Sequence, residues 1–210
     1  MRLLSKAFLL TVLLFAGFTP TANAAGDRNA EQFVGQLLQQ AALVLRDNSG
    51  GDAARSLRLH QLVLQNLDAR KAALFALGPY QRQLDPRVVD EYVAAFTDYV
   101  TAVYEARLRT FRNFDFKIVT SMDAGQGDST VITQARPPAE FRKAPIDIWL
   151  RLSRDSGQYK IADVQIAGIW VSLYQREDFA KRLSANADVR ALTGYLNYRA
   201  AQIKAGNAQV

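Results

Sequence analysis

The chain contains no cysteine and only one histidine, His60, among its 210 residues. Without cysteine there is no disulfide framework, so the stability of the fold has to come from a buried core. A zinc site built on one histidine would need several clustered carboxylates, and the sequence shows no such cluster. We therefore expect no metal site and interpret His60 as a surface residue.

Motifs of the common enzyme classes are also missing. The sequence has no nucleophile elbow, phosphate-binding glycine loop or dinucleotide fingerprint. Gly125–Asp128 lies between two predicted strands, so its glycines are interpreted as turn residues. Asp163 lies within a predicted strand, and a carboxylate there could act as a general base, but no second catalytic group accompanies it. We predict that Asp163 accepts a structural hydrogen bond from a nearby loop and that the protein is not an enzyme.

The charge is mildly basic, with a formal net charge of +6 at pH 7. Such a charge favours anionic surfaces, including lipid headgroups, through long-range attraction. The basic residues are dispersed, and no basic cluster with interleaved aromatic residues of the single-strand-binding kind occurs. Nucleic acid is therefore not an expected partner.

The first residues have the pattern of an export signal. Arg2 and Lys6 precede an apolar run at Ala7–Phe18, and small residues follow at Ala22–Ala24. The apolar run has about 12 residues, whereas a membrane span needs roughly 20. We predict a cleavable signal peptide over residues 1–24, and a periplasmic mature protein that forms a single domain over residues 25–210.

Apolar residues at helical spacing dominate the first half of the mature chain. Helices are predicted over Ala30–Arg46, Ala53–Leu67, Ala69–Leu77 and Asp85–Phe111. In the last of these, Asp85 is a candidate N-cap and a proline follows it, where helices tolerate one. At 1.5 Å per residue this helix would be about 40 Å long, and it should lie across a whole face of the protein.

The second half changes to a period of two, which indicates β-strands. The strands are predicted over Phe114–Met122, Thr130–Ala135, Pro145–Ser153 and Tyr159–Ile166. Two helices, near Tyr174–Ser184 and Asp188–Ala205, follow them. The fold class is therefore α+β, with a four-stranded curved antiparallel sheet packed by N-terminal and C-terminal helices. Such a sheet under long helices can leave an apolar cavity, although the same residues could also form a filled core.

Several stretches together resemble the MlaC family of periplasmic phospholipid-carrying proteins, also known as toluene-tolerance proteins. Tyr159–Gly168 is similar to the family's strand that ends in Asp-Val and then glycine. Arg176 and Phe179 follow that glycine at the family's spacing. Asn186–Leu196 resembles its short turn and helix, and Leu74–Leu108 resembles its Leu-Gly turn and long aromatic-bearing helix. The order of elements matches over nearly the whole mature chain.

The resemblance implies a non-enzymatic carrier whose only bound group is its phospholipid cargo, with the tails inside and the headgroup at the mouth. It implies shuttling between an outer-membrane lipoprotein–porin complex and an inner-membrane ABC transporter with an MCE-domain ring, which maintains outer-membrane lipid asymmetry. The chain departs from the family at Trp170, where serine is usual. On this basis we expect eight residues near the lipid tails: Phe96, Val100, Tyr104, Ile118, Ile148, Leu150, Ile166 and Trp170.

Three alternatives stay open at this level. A small-molecule enzyme on a related cone-shaped α+β fold would need convergent polar groups inside the cavity. A periplasmic scaffold would have a filled core and no cavity. A carrier of another lipid, such as a hopanoid, would have a similar cavity with a different cargo.

Overall fold

The computed structural model describes residues 26–125, 127–154, 157–185 and 187–208. The predicted signal peptide lies outside these residues, as do two residues of the predicted turn at Asp155–Gly157. The described α-helices are α1 (Arg28–Arg46), α2 (Gly51–Asn66), α3 (Ala69–Leu77), α4 (Pro86–Thr110), α5 (Val171–Leu183) and α6 (Val189–Lys204). The strands are β1 (Asp115–Gly125), β2 (Asp128–Arg136), β3 (Ile146–Ser153), β4 (Lys160–Ile166) and β5 (Ile169–Trp170).

Aspartate side chains begin four of the helices. Asp27, Asp68, Asp85 and Asp188 each accept a hydrogen bond from a backbone N–H in the first turn of α1, α3, α4 and α6, respectively. These bonds satisfy N–H groups that have no partner within the helix. The cap predicted at Asp85 is thus confirmed, and α4 begins with Pro86 as expected.

The sheet has five strands rather than the predicted four, in the order β1-β2-β3-β4-β5, and all pairs are antiparallel. The additional strand follows a two-residue hairpin in which Ala167 and Gly168 both have positive φ, 48° and 86°. Positive φ at both turn residues matches the twist of antiparallel strands. After Gly168 the chain therefore returns to the edge of the sheet, where Ile169 pairs with Ile166.

Two hydrophobic clusters form the core. The helical cluster is formed by side chains of α3, α4, α5 and α6. It contains Tyr92, Phe96 and Phe179, whose ring centroids lie 6.0–6.5 Å apart. The sheet cluster lies between α1 and one face of the sheet and includes Val131 and Leu152, which are fully buried. Helix α4 connects the two, since its Tyr104 packs against both clusters. The protein is therefore organised around α4.

The N-terminal end of α1 is fixed to the sheet by carboxylates. The Oδ2 atom of Asp27 accepts hydrogen bonds from the Ser129 hydroxyl at 2.5 Å and the Tyr159 hydroxyl at 2.6 Å. One turn later, Glu31 accepts a hydrogen bond from the Ser121 hydroxyl at 2.7 Å. Burial alone would raise the pKa of Asp27, but the hydrogen bonds from Ser129, Tyr159 and the backbone outweigh it and hold that pKa below its usual value.

Replacing Asp27 with Asn should lower the free energy of unfolding at pH 7 by about 1 kcal/mol, because Asn can still cap α1 but the charged acceptor of the Ser129 and Tyr159 hydroxyls is lost. The pKa of Asp27 is lowered by folding, so the stabilisation is present above the unfolded-state pKa and is lost as pH falls through the folded-state pKa. Urea unfolding of wild type and Asp27→Asn should therefore give a stability difference that shrinks in acid.

The control is Asp115→Asn, because Asp115 is exposed and lies 3.9 Å from Arg46 in a surface ion pair of little energetic value. If Asp27→Asn and Asp115→Asn changed stability equally, or if the effect of Asp27→Asn did not depend on pH, the assigned role of Asp27 would be wrong.

Candidate functional site

An apolar cavity of about 150 Å³ lies between the inner sides of α1, α2 and α4 and the helix-covered face of the sheet; we call it the inner cavity. Its walls come from elements far apart in sequence, and nearly all of the side chains are aliphatic or aromatic. They are Leu37, Leu38, Ala41, Leu45, Leu62, Val63, Leu67, Tyr104, Leu108, Phe111, Phe116, Ile148, Leu150, Ile161, Val164 and Ile166, with Asn66, Arg107 and Thr133 as the polar members.

The polar groups of the inner cavity are largely occupied within the protein. The Thr133 hydroxyl donates to the Ile148 carbonyl at 2.9 Å, and the Asn66 amide donates to the Leu62 carbonyl at 2.8 Å. Removal from water, with a smaller effect of the Asp163 charge, raises the pKa of the Tyr104 hydroxyl, which therefore stays neutral. Apart from Arg107, the walls are uncharged, which suits an apolar ligand.

A second and larger cavity, about 1000 Å³, opens beside the first; we call it the outer cleft. The two cavities share Tyr104, Arg107, Phe111 and Ile166, so they adjoin along the C-terminal half of α4 and the end of β4. The other lining residues of the outer cleft are Tyr99, Val103, Arg109, Thr110, Arg112, Asn113, Phe114, Pro137, Phe141, Lys143, Ile146, Ile169, Val171, Tyr174, Gln175 and Arg199.

The outer cleft is basic. Among the described residues that line it there are four arginines and one lysine, and none is acidic. Arg109 is paired with Glu105, and Arg112 donates to the side chain of Asn48 at 2.6 Å. Arg107 makes no ion pair with any residue in the described part of the chain and lines both cavities. A cation without a protein partner at this junction is suited to an anionic group.

Four of the eight predicted tail contacts lie in the walls of these cavities. Ile148 and Leu150 line the inner cavity, and Tyr104 and Ile166 line both. Their positions follow from the period of two along β3 and β4, which turns alternate side chains toward the helices.

Three others lie in the core and line neither cavity. Phe96 and Val100 have exposed fractions of 0% and 1% and belong to the helical cluster. The N-terminal half of α4 packs on other helices, and aromatic rings fill the space between them. Ile118 belongs to the sheet cluster, where its Cδ1 atom approaches Gly35 of α1. These three line neither cavity, and their role as tail contacts stays a prediction.

Trp170 lies on the opposite side of the sheet from the inner cavity. It pairs with Gln165, which pairs with Trp149, whereas the cavity residue Leu150 pairs with Val164. The Arg151 guanidinium stacks over the Trp170 ring at 4.3 Å from its centroid. Trp170 therefore lines neither cavity, and its role as a tail contact stays a prediction, whereas its neighbours Ile169 and Val171 line the outer cleft.

Asp163 has the structural role predicted for it. Its Oδ1 atom accepts hydrogen bonds from the backbone N–H groups of Val164 and Ser172, and its Oδ2 atom accepts one from the Ser172 hydroxyl. These bonds attach the first turn of α5 to β4 and occupy both carboxylate oxygens.

His60 is half-buried on α2, and neither His60 nor Asp163 lines the cavities described above. In the described residues, no group of three or more potential metal ligands occurs.

Sequence reasoning missed the contribution of α1 and of Arg107. The apolar face of α1 was visible in its helical spacing, but the same pattern is expected of a helix over a filled core. Arg107 follows Tyr104 by three positions, so the two lie on the same side of α4. That spacing was a usable signal, because it places a basic residue beside an aromatic one on the helix that was expected to border the cavity.

An α+β protein with an apolar cavity beside a basic cleft belongs to the class of small-molecule binding proteins by its architecture. The family model described as MlaC protein matches residues 35–198, and the chain belongs to the MlaC family. No curated protein sequence matches the chain. Within the described residues, no helix combines the length and the hydropathy required to cross a membrane.

One solved structure is similar over most of this fold. It is the phospholipid-binding protein from Ralstonia solanacearum in complex with a phospholipid, with a TM-score of 0.71 and 20% sequence identity. The similarity covers 83% of this chain and 98% of that chain. At this level of identity the similarity shows a shared fold.

Proposed function

We propose that this protein binds one phospholipid and carries it through the periplasm, with the acyl tails in the inner cavity and the phosphate headgroup in the outer cleft. The observation that carries the proposal is the direct contact between an apolar cavity and a basic cleft across Tyr104 and Arg107. Membership of the MlaC family and the fold shared with a phospholipid-binding protein support it.

A phospholipid carrier has to shield the acyl chains from water, and this requirement determines how large its apolar cavity must be. Burial of a methylene group is worth about 0.8 kcal/mol, so a 16-carbon chain costs roughly 12 kcal/mol to expose. The inner cavity, about 150 Å³, is smaller than the roughly 300–1,000 Å³ of typical ligand pockets. Two tails therefore require α1 and α2 to move away from the sheet, and they also occupy part of the outer cleft.

Tyr104 and Arg107 define the boundary between tails and headgroup. The Tyr104 hydroxyl makes no hydrogen bond with any residue in the described part of the chain, and it stays protonated because its pKa is raised. It is suited to donate to an ester carbonyl of the lipid. Arg107 lies one turn further along α4, toward the outer cleft, and is suited to bind the phosphate.

The proposed transport cycle is the one that the family resemblance implies. In this proposal the protein is exported by its signal peptide and exchanges phospholipid with an outer-membrane lipoprotein–porin complex and an inner-membrane MCE-domain ABC transporter. The result is the maintenance of lipid asymmetry in the outer membrane. In this proposal the ABC transporter is the partner that uses ATP, and this chain carries the lipid.

Replacing Ile166 with Asn should reduce the phospholipid that co-purifies with the protein severalfold, because Ile166 lines both cavities. Extraction with organic solvent followed by mass spectrometry gives the lipid-to-protein ratio. Ile132→Asn is the matched control, since Ile132 is also half-buried in the sheet but pairs with Trp149 on the opposite face.

Both variants should lose stability in urea unfolding, and only Ile166→Asn should lose lipid. Equal lipid content in the two folded variants would contradict the placement of the tails.

A convergent catalytic pair is not present among the described lining residues, so the enzyme alternative has no specific observation in its favour.

Replacing Arg107 with Gln should weaken binding of a fluorescent phospholipid by about threefold to tenfold, the value of a charge-assisted hydrogen bond at a partly exposed site. Binding of an uncharged apolar dye should not change, since the tail cavity is intact. Arg87→Gln, at the exposed start of the same helix, is the control and should bind both ligands as wild type does. A parallel loss of dye binding in Arg107→Gln would show that Arg107 shapes the cavity rather than binding the phosphate.

A further inference from the structure

Exposed apolar side chains surround the opening of the outer cleft. Phe141, Ile169 and Tyr174 line the cleft, yet their exposed fractions are 54%, 64% and 65%. Single exposed apolar residues are common on protein surfaces, but a group around one opening indicates an interaction site. We call these three residues the rim.

Defined local structure holds each rim residue outward. Phe141 ends a 3-10 turn (Ala139–Phe141), and the next residue, Arg142, has the left-handed φ of 47°. Ile169 follows the two-residue hairpin that joins β4 to β5. Tyr174 lies in the first turn of α5, which Asp163 fixes to β4. The three segments are separate in sequence, and the fold brings them to one opening.

The rim is accompanied by positive charge. Lys143 and Arg112 are exposed and line the same cleft, and Arg142 is exposed beside Phe141. Glu140 precedes Phe141 in the sequence and is acidic, but Arg142 and Lys143 follow Phe141, so this segment has a net positive charge. A basic residue near an anionic lipid surface contributes about 1 kcal/mol of attraction, and protruding apolar side chains add to it by entering the headgroup region.

We propose that the rim docks this protein directly on anionic bilayer surfaces, with the cleft opening against the lipid layer. This proposal rests on the proposed function, since it names the surface that faces the bilayers in which the two partner complexes of that function lie. A bilayer fits both features at once. Its anionic headgroups face Lys143, Arg142 and Arg112, and its interfacial region receives the apolar rim side chains. The lipid then passes between membrane and cavity without exposing its tails to water.

The test is co-sedimentation of purified mature protein with vesicles of phosphatidylcholine, with and without phosphatidylglycerol. Wild type should bind the anionic vesicles and bind much less to pure phosphatidylcholine. A variant with Phe141→Ser, Ile169→Ser and Tyr174→Ser should partition about tenfold more weakly, because three apolar contacts are lost. Lys143→Glu should also weaken binding to the anionic vesicles, whereas Lys117→Glu, exposed on β1, should not.

The control for the rim is a variant with Leu43→Ser, Leu57→Ser and Tyr198→Ser, whose exposed fractions are 71%, 58% and 62% and which line neither cavity. It should bind vesicles as wild type does. The co-purified lipid of every variant is measured in parallel. If wild type retains phospholipid but does not bind anionic vesicles, or if the two triple variants bind equally, direct docking is wrong and the carrier function stands. A rim that binds only a membrane protein and no protein-free vesicle overturns the proposal as well.

Discussion

The packing of α4 against both the other helices and the sheet is the interaction on which the rest of the structure depends. Its N-terminal half is enclosed by aromatic rings, with Phe96 buried against Phe179 at a centroid distance of 6.3 Å. Its C-terminal half reaches Tyr104, which packs against both hydrophobic clusters. One end of the helix is therefore fully packed, and the other end leaves space, because the sheet, α1 and α2 meet it without filling the volume between them.

In the proposed carrier, this division of α4 separates the residues that stabilise the fold from those that would contact the lipid. Residues of the packed end hold the helical cluster together, whereas Tyr104, Arg107 and Phe111 lie one turn apart along the open end and face the cavities. Along those positions the basic Arg107 lies between two aromatic residues, so one rigid element supplies both an apolar wall and a cation. The carboxylates of Asp27 and Glu31 attach α1 to the sheet at the far side of the inner cavity. Helix α1, which would have to move to admit a lipid in the proposed function, is thus held at its N-terminal end by polar contacts.

The sequence predicted the long elements well, because their signals are repeated over many residues. Helix α4 was predicted as Asp85–Phe111 and is Pro86–Thr110, and the four long strands were found. Strand β5 was missed because two residues are too short to show alternation, and Ala167-Gly168 is not a common hairpin sequence. Half of the predicted tail contacts line the cavities. Periodicity shows which side of an element is apolar, but it does not show where neighbouring elements fail to fill the space between them, which is why predicted residues such as Phe96 and Trp170 line neither cavity.

The central claim is that the two adjoining cavities hold a single phospholipid. Native mass spectrometry of the mature protein, purified without detergent, tests it most directly. We expect a protein species carrying one adduct with the mass of a phospholipid, and fragmentation that releases both acyl chains and a phosphate headgroup. A protein that is lipid-free as purified, and that takes up no phospholipid from vesicles after delipidation and refolding, would contradict it.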